Sequence, residues 1–322
     1  MNKIEIKDII GFVIFKYEKE NNTIKDTVEE AVKNGADLSH AYLIGADLSH
    51  ANLKSAILTG ANLTGANLRG TDLRGASLSG INIYGANLSS ADLECAYLYH
   101  ADLSHADLSH AYLKDADLSY ANLYKANLKG ANLYDAYLSG ANLEGANLSD
   151  TGFSYAYLYH ADLKGVDLSN ADLSNANLSD ANLEGANLYK ANLKGAGLHN
   201  AILRGAKMPD SPMACPEKGS FIAWKKVFNK NCEYLIKLEI PEDAERSSAT
   251  TNKCRCSKAK VLEIIKIVTN KNVNKVINKN FCLSTTYEVG EMVYPNSFDN
   301  CRWHECSNGI HFFMDKQDAL NY

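Results

Sequence analysis

A five-residue repeat runs through the middle of this chain and restricts its fold more than any other feature. Residues 36–205 form 34 consecutive units of the pattern Ala-(Asp/Asn)-Leu-x-x, without an insertion. The central residue is Leu in 32 units, with Ile83 and Phe153 as the exceptions, and the first residue is Ala in 30 units. Because a repeat of fixed period is the signature of stacked-repeat architectures, this segment predicts one continuous solenoid.

The period of the repeat excludes both a long α-helix and an uninterrupted β-strand. Five residues advance an α-helix by about 140°, so the leucines would be scattered over all of its faces. In a strand, an odd period would place alternate leucines on opposite sides of the sheet. Each unit must therefore bend. The pattern predicts an extended piece with Ala and Leu inside and Asp or Asn outside, followed by a turn at the last two positions, where 14 units end in Gly.

These units closely resemble the pentapeptide-repeat family. The resemblance implies a right-handed, four-sided (quadrilateral) β-helix with four units in each coil. The spacing alone does not choose between 15 and 20 residues per coil, because the near-identical segments at 96–103 and 156–163 are 60 residues apart. At four units per coil, with strands about 4.8 Å apart, the repeats would make a rod roughly 41 Å long.

The segment before the repeats predicts a cover for one end of the solenoid, where open strand edges and an exposed core would otherwise invite aggregation. Residues 3–17 contain apolar-rich stretches on both sides of Gly11 and predict a hairpin. Residues 23–34 predict a helix that Thr23 caps and that Gly35 ends. We expect residues 1–35 to form this hairpin and capping helix, and residues 36–210 to form the β-helix.

Residues 211–322 predict a separate α+β domain. Its expected strands lie at 234–240, 258–268, 281–287 and 310–313, its expected short helix lies at 315–321, and residues 269–280 are expected to contain an exposed connection. The segments around residues 219–226, 246–248, 253–256 and 303–313 resemble an uncharacterised domain that accompanies pentapeptide arrays in bacterial and phage proteins. This resemblance implies no activity.

The distribution of charge and cysteine narrows the class of function. Residues 1–35 carry a net charge of −1, residues 36–205 carry −7, and residues 206–322 carry +3, so no segment is basic enough to indicate direct binding of nucleic acid. The longest apolar run, residues 9–15, is too short to cross a membrane. We expect a cytoplasmic protein whose eight cysteines are free thiols.

The outward Asp and Asn residues raise the alternative of DNA mimicry, because some pentapeptide-repeat proteins resemble a duplex and block type II topoisomerases. A duplex of the expected rod length would carry roughly 24 charges, at one charge per about 1.7 Å. The repeats carry a net charge of only −7. Because this charge is low for a mimic, the simpler interpretation is a solvated face with hydrogen-bonded ladders. DNA gyrase or another topoisomerase is kept as an alternative partner.

Tyrosine is concentrated in the repeats, which hold 13 of the 18 tyrosines. With 20 residues per coil, residues that are 20 positions apart stack in a column along the rod. Several of the tyrosines then fall into adjacent outward columns on one side, beside His100 and His160. Such an aromatic strip is typical of a partner-binding surface, but tyrosines that stack along a column also stabilise the ladder itself. The candidate partner-binding residues are Tyr97, Tyr99, Tyr120, Tyr137, Tyr157 and Tyr159.

The cysteines and histidines near the C-terminus form a weaker candidate site. The Cys-x-Cys spacing places two thiols on one face of an extended strand, but it is not the usual two-residue spacing of a zinc knuckle. Buried free thiols are the simpler interpretation. The residues concerned are Cys254, Cys256, Cys301, His304, Cys306 and His311. A cysteine nucleophile beside one of these histidines and Glu305 is the corresponding enzyme hypothesis, and nothing in the sequence indicates the required geometry.

These observations predict a non-catalytic interaction or scaffold protein that presents a rigid rod and a C-terminal recognition domain to a protein partner or to a second copy of itself. We expect no cofactor, no bound metal and no catalytic residue. The alternatives are a DNA-mimic inhibitor or protector of a type II topoisomerase, and an enzyme of unknown reaction housed in residues 211–322.

Overall fold

A computed structural model describes residues 1–209, 215–216, 218–229, 232–248, 253–279, 284–298 and 309–322. The chain forms two compact units, Met1–Asp210 and Ser211–Tyr322. Both are built mainly from β-structure, and the helices in the described residues are two short ones, one in each unit.

The first unit begins with a hairpin and a helix. Strands β1 (Asn2–Lys7) and β2 (Val13–Lys19) pair antiparallel, and Gly11 has a φ of 100° in the turn between them. Helix α1 (Ile24–Lys33) follows. The hairpin and the helix predicted from the sequence are therefore confirmed.

Helix α1 begins with a capping box. The hydroxyl oxygen of Thr23 accepts the backbone N–H of Asp26, and the Asp26 carboxylate accepts the backbone N–H of Thr23. Two N–H groups that lack a partner inside the helix are satisfied in this way. Gly35, with a φ of 66°, follows the helix as expected.

Replacing Thr23 with Ala is expected to destabilise α1 by about 1 kcal/mol, because the Asp26 N–H loses its acceptor. Hydrogen exchange of the α1 amides would measure this as faster exchange in the first turn. Thr23→Ser keeps the hydroxyl and should behave nearly as the wild type does; equal exchange in all three proteins would contradict the capping role.

The repeats coil with 20 residues per turn. Each parallel bridge joins the second residue of one unit to the second residue of the unit 20 positions later, from Asp37↔Ile57 to Asn187↔Lys207. The bridges are held by hydrogen bonds such as those from the Leu43 N–H to the Asn62 carbonyl and from the Asn62 N–H to the Ala41 carbonyl, both 2.8 Å. One coil therefore contains four units.

A turn closes every unit. The N–H of Ala41 donates to the carbonyl of Leu38, and the equivalent bond recurs along the repeats. The fifth residue of all 34 units has a positive φ, whether or not it is glycine. A single positive φ at the third position of a four-residue turn is typical of type II turns. Histidine, asparagine and aspartate tolerate this conformation better than most residues do, which gives six of the nine histidines a structural explanation.

The interior of the coil consists of the first and third residues of each unit, which are buried from Leu38 to Ala201. Two units place threonine where most of the others have alanine. The buried hydroxyls of Thr71 and Thr151 donate to the carbonyls of Leu48 and Leu128, at 2.9 and 3.1 Å. These bonds remove the cost of burying a polar group in an apolar stack.

The second unit contains ten strands and one helix within the described residues. They are β3 (Phe221–Asn229), β4 (Cys232–Ile240), β5 (Arg246–Ser247), β6 (Lys253–Cys256), β7 (Ala259–Lys266), β8 (Lys271–Asn272), β9 (Lys275–Lys279), β10 (Ser284–Glu288), β11 (Met292–Val293), β12 (Ile310–Phe313) and α2 (Lys316–Asn321). An antiparallel sheet has the order β11-β7-β4-β3-β12-β6-β5, with β8 added to β7, and β9 and β10 form a separate pair.

Several predictions for this unit need correction. With a single six-residue helix in its described part, the unit is nearly all β rather than α+β. Strand β3 was not predicted from the sequence. Residues 269–280, predicted to contain an exposed connection, include part of the exposed turn between β7 and β8, but they also contribute β8 and β9, which pair with the neighbouring strands β7 and β10. Strands β4, β7, β10 and β12 and helix α2 lie where the sequence predicted them, with shifts at some ends.

Arg246 holds the irregular segments beside β5 together. Its guanidinium donates to five backbone carbonyls, at distances of 2.7 to 3.2 Å, and lies 5.2 Å from the ring centre of Phe221. The acceptors are those of Pro216, Gly219, Pro241, Glu242 and Ala244. A planar donor with five N–H groups is suited to tying several irregular segments together.

Candidate functional site

One side of the coil collects the predicted aromatic residues. We call it the aromatic face and define it as the outward residues of segment 37–40 and of the equivalent segments every 20 positions onward to 197–200, which the bridges place in register. All six predicted residues lie on it and are exposed: Tyr97, Tyr99, Tyr120, Tyr137, Tyr157 and Tyr159.

The rings form small clusters rather than one unbroken strip. Tyr137 and Tyr157 stack with ring centres 4.9 Å apart and planes only 2° from parallel. Tyr99 meets Tyr120 edge to face at 5.7 Å, and Tyr120 stacks on His100 at 5.4 Å. These are favourable arrangements for aromatic pairs.

The remaining two tyrosines are not in ring contact with the other four. Tyr159 lies 4.0 Å from the ring of His160. Tyr97 is separated from Tyr137 by Asp117, which occupies the intervening coil. Among the described residues, Tyr97 has no ring contact within this set.

Tyr120 leans toward the following coil. A Cβ atom placed on Gly140 would come within 2.6 Å of the Tyr120 ring, so the ring covers the surface that a larger side chain there would occupy. The same relation exists between His40 and Gly60 on this face. Glycine at the fifth position therefore serves the aromatic contact as well as the turn.

The aromatic face carries very little charge. None of the ten Lys and Arg residues of segment 36–205, all of which are described, belongs to it. Its acidic residues are Asp37, Asp117 and Asp180, and Asp117 stands alone among them between residues 57 and 160. The buried centres of protein interfaces are depleted of charge and enriched in tyrosine, and this face matches that composition.

Two tyrosines elsewhere in the repeats, Tyr124 and Tyr189, are already covered by lysines of the same chain. Lys125 Nζ lies 5.0 Å from the ring centre of Tyr124, and Lys207 Nζ lies 4.6 Å from that of Tyr189. Within the fully described coil, no such cation lies over a ring of the aromatic face. Those rings are thus free to receive a cation from another molecule.

Two neighbouring columns consist mainly of amide and carboxylate ladders. Asn122 Nδ2 donates to Asp102 at 3.2 Å, and Asn142 Nδ2 donates to Asn122 at 3.1 Å. In the next column, Asn127 Nδ2 donates to Asp107 at 2.9 Å. The carboxylates of these columns therefore have neutral donors beside them, unlike the regularly charged phosphates of a duplex.

The cysteine and histidine candidates are only partly brought together. Cys254 and Cys256 lie on one face of β6, fully buried, and pair with Phe312 and Ile310. His311 pairs with Arg255 and therefore points to the opposite face of the sheet. The structure thus contradicts a common ligand set of His311 with the two cysteines, whereas Cys301, His304 and Cys306 lie outside the described residues.

The chemistry of the buried thiols favours a structural role. Burial raises the pKa of the Cys256 thiol to about 12, so it stays protonated at neutral pH, whereas a nucleophile or metal ligand must be a thiolate. A hydrogen bond with the Cys254 side chain lowers the pKa of Cys215 in the same apolar core. The enzyme hypothesis gains no support from Cys256.

Sequence reasoning missed Lys225. On β3 this residue lies between Ala223 and Val227, which are buried in the core, and its Nζ donates to the His311 carbonyl at 3.0 Å. Burial lowers the pKa of Lys225 to about 8. The alternating apolar residues Phe221, Ala223 and Val227 could have predicted a strand with an inward face. Lys225 and Lys226 interrupt that apolar pattern, so the strand and its buried lysine were missed.

A second group that sequence reasoning missed lies on the coil. One potential ligand atom from each of Glu94, Cys95 and Asp115 falls within 4.8 Å of the others. The ammonium group of Lys114 lies 3.6 Å from both carboxylates. Because this lysine supplies the balancing positive charge, we assign no metal to the group.

No helix in the described part of the chain combines the length and the apolar character needed to cross a membrane.

Two family models match the sequence. The model described as "Family of unknown function (DUF5758)" matches residues 211–319. The model described as "Pentapeptide repeats (8 copies)" matches residues 34–70, 61–96, 96–133, 131–170 and 171–208.

A viral protein shares part of the chain. "Uncharacterized protein L223" of Acanthamoeba polyphaga mimivirus is 33% identical over 100 residues, which are 29% of this chain and 64% of the viral protein. The chain thus spans less than two thirds of this relative.

Solved structures with similar repeats were also found. HetL, a pentapeptide repeat protein involved in heterocyst differentiation regulation from the cyanobacterium Nostoc, is 37% identical, with a TM-score of 0.32 over 55% of this chain and 89% of HetL. Full-length QnrB1, a plasmid-mediated fluoroquinolone resistance protein, is 19% identical, with a TM-score of 0.38 over 53% of this chain and 85% of QnrB1.

The family models confirm the resemblance that the five-residue units indicated. The repeat model covers more than half of the sequence, from residue 34 to residue 208. The chain therefore belongs to the pentapeptide-repeat family.

Proposed function

We propose that this protein is a non-catalytic interaction protein whose coil presents the aromatic face to a protein partner. The observation that carries the proposal is the combination of six exposed tyrosines with the absence of Lys and Arg from this face of the fully described coil. Exposed aromatic clusters on a face of low charge are costly to leave in water, and they are typical of binding sites.

The proposal includes the form of the rod. We infer a right-handed, four-sided β-helix for residues 36–210, a cap formed by residues 1–35, and a separate recognition domain in residues 211–322. The cap is supported by bonds from Lys25 Nζ to the Ser49 carbonyl and from the Asn52 N–H to Glu29, both 2.8 Å. Val28 and Ala31 of the helix are completely buried.

A cytoplasmic location is part of the same proposal. Cys95, Cys215, Cys232 and Cys256 are free thiols, which is the usual state in a reducing compartment. DNA mimicry is less well supported than partner binding, because the outward carboxylates of the ladder columns alternate with neutral amides.

The proposal is tested by replacing Tyr97, Tyr137 and Tyr157 together with Asn, the residue that this position most often holds. The fold should survive, because asparagine can extend the ladder. Interface tyrosines can each contribute about 2 kcal/mol or more, so capture of the partner from a host lysate, or self-association, should be abolished.

The matched control is the pair Tyr42→Asn and Tyr112→Asn, since both tyrosines hold the same position of a unit and are exposed, but on other faces. Sedimentation velocity, quantitative capture and a thermal melt would be compared for the three proteins. If the triple variant melts earlier yet retains its assembly state and its captured partner, the tyrosines only stabilise the ladder and the proposed function is wrong.

A further inference from the structure

Asp117 occupies an unusual position on the aromatic face. It bridges Tyr97 on the preceding coil and Tyr137 on the following coil, so a carboxylate lies between two exposed rings in one column. The side chain is half-buried, and one of its oxygens accepts the Ser119 N–H at 3.0 Å.

The outward aspartates of other columns are compensated within the chain. Asp102 accepts an amide hydrogen of Asn122, and Asp72 forms an ion pair with Arg74. Within the described residues, the Asp117 carboxylate accepts a hydrogen bond from the Ser119 N–H and forms no ion pair with a cation of the chain. Tyrosine neighbours cannot supply the amide donors that extend a ladder. Asp117 is therefore a negative charge that can accept a cation from outside.

The spacing of the coils sets the distance between the two tyrosines that flank Asp117. Tyr137 and Tyr157, on successive coils, stack at 4.9 Å. Tyr97 and Tyr137 are two coils apart, or about 9.6 Å. A group midway between them would lie roughly 4.8 Å from each ring, within the distance of about 6 Å at which a cation interacts with an aromatic face.

We propose that Tyr97, Asp117 and Tyr137 form a slot for an arginine side chain of the protein partner. A guanidinium is planar, so it can stack between two rings while its N–H groups pair with the carboxylate at the base. A lysine ammonium is compact and strongly hydrated and fits this geometry less well. The absence of Lys and Arg from the face matches the same chemistry, because an internal cation would compete for the slot. This inference rests on the proposed function of the aromatic face and specifies the side chain that the face recognises.

The test uses acetylated, amidated pentapeptides Gly-Ser-X-Ser-Gly in which X is arginine, lysine or citrulline. Citrulline keeps the planar shape and removes the charge. Binding to the full-length protein, labelled at its tyrosine rings, would be followed by nuclear magnetic resonance at low salt. We expect the arginine peptide to bind with a dissociation constant on the order of 1 mM, and the citrulline peptide to bind about tenfold more weakly.

Asp117→Asn is expected to weaken binding of the arginine peptide about tenfold, since it removes the charge but keeps the shape. Asp102→Asn is the matched control: it makes the same change at the same position of a unit, in a column where Asn82 and Asn122 are the neighbours. Its binding of the peptide should equal that of the wild type.

The slot is contradicted if the arginine and citrulline peptides bind equally, if neither binds, or if Asp117→Asn binds as tightly as Asp102→Asn. These failures differ from a failure of the proposed function. If the triple tyrosine variant loses its partner while Asp117→Asn keeps it, the aromatic face is a binding surface and the arginine slot is wrong. If Asp117→Asn alone loses the arginine peptide while the triple variant keeps its partner, the slot binds arginine and the proposed function is wrong.

Discussion

Replacing Leu123 with Ala is expected to cost the coil about 2 to 5 kcal/mol of unfolding free energy. Leu123 lies near the middle of the repeats and is fully buried. Its N–H donates to the Asn142 carbonyl at 2.7 Å. The stacked coils above and below are held at fixed spacing by their own ladders. The cavity left by the missing atoms therefore cannot collapse, and the full transfer and cavity costs remain.

The measurement separates the two units of the chain. Both tryptophans, Trp224 and Trp303, lie after residue 210, whereas 13 of the 18 tyrosines lie in the repeats. Circular dichroism, dominated by the coil, should show the loss in denaturant, while tryptophan emission should be unchanged. Leu203→Ala, at a partly exposed position near the end of the coil, should cost less. A loss below about 0.5 kcal/mol at Leu123 is the size of a surface change and would contradict a stacked core.

Lys225 is expected to make the stability of the second unit depend on pH. Its pKa is about 8 in the folded chain against 10.5 for an ordinary lysine. Between these values the unfolded chain binds the proton and the folded chain does not, so stability rises with pH across this window. Below pH 8 both states are protonated and the penalty for burying the charge is fully present; it amounts to about 3 kcal/mol at most.

Lys225→Met should abolish this dependence. The difference in unfolding free energy between wild type and variant, followed by tryptophan emission, should change by up to about 3 kcal/mol from pH 8 to 10.5. Taking the difference also reduces the opposing effect of Cys256, whose raised pKa lowers stability above pH 9, because both proteins contain this thiol. Lys226→Met, which removes a lysine that donates to the Leu320 carbonyl, controls for the loss of such a bond. A wild-type curve parallel to that of Lys225→Met would show that Lys225 keeps its charge.

Features that depend on neighbouring residues were predictable. Helix α1 has its start and end at the expected residues, because Thr23, Asp26 and Gly35 act within one turn of the backbone. The inward position of the repeated Ala and Leu residues follows from the bend within each unit. The six tyrosines could be assigned to one side once a coil length of 20 residues was assumed. Tyr97, Tyr137 and Tyr157 are separated by multiples of 20, and the other three lie two or three residues further along the same segments.

Several features of the second unit were not predictable from the sequence. Strand β3 was missed because its inward face contains Lys225, which a pattern of apolar alternation does not accept. Strands β8 and β9 were missed because their Lys- and Asn-rich sequences lack the apolar alternation of a strand, although their partners β7 and β10 are neighbours in sequence. His311 was grouped with Cys254 and Cys256 as a possible metal ligand by residue type, but the register of β12 against β6 turns it away.

The five-residue pattern by itself determined that the chain coils, which side chains face inward and where each unit turns, because these are properties of one bend repeated along the backbone. The tertiary structure decided how many units close a coil. Residues 20 positions apart become neighbours only when the stacked leucines set the circumference and the ladders join one coil to the next. Closure at four units is what placed Asp117 between Tyr97 and Tyr137, so the arrangement of the candidate site belongs to the packing of the coil and not to its period.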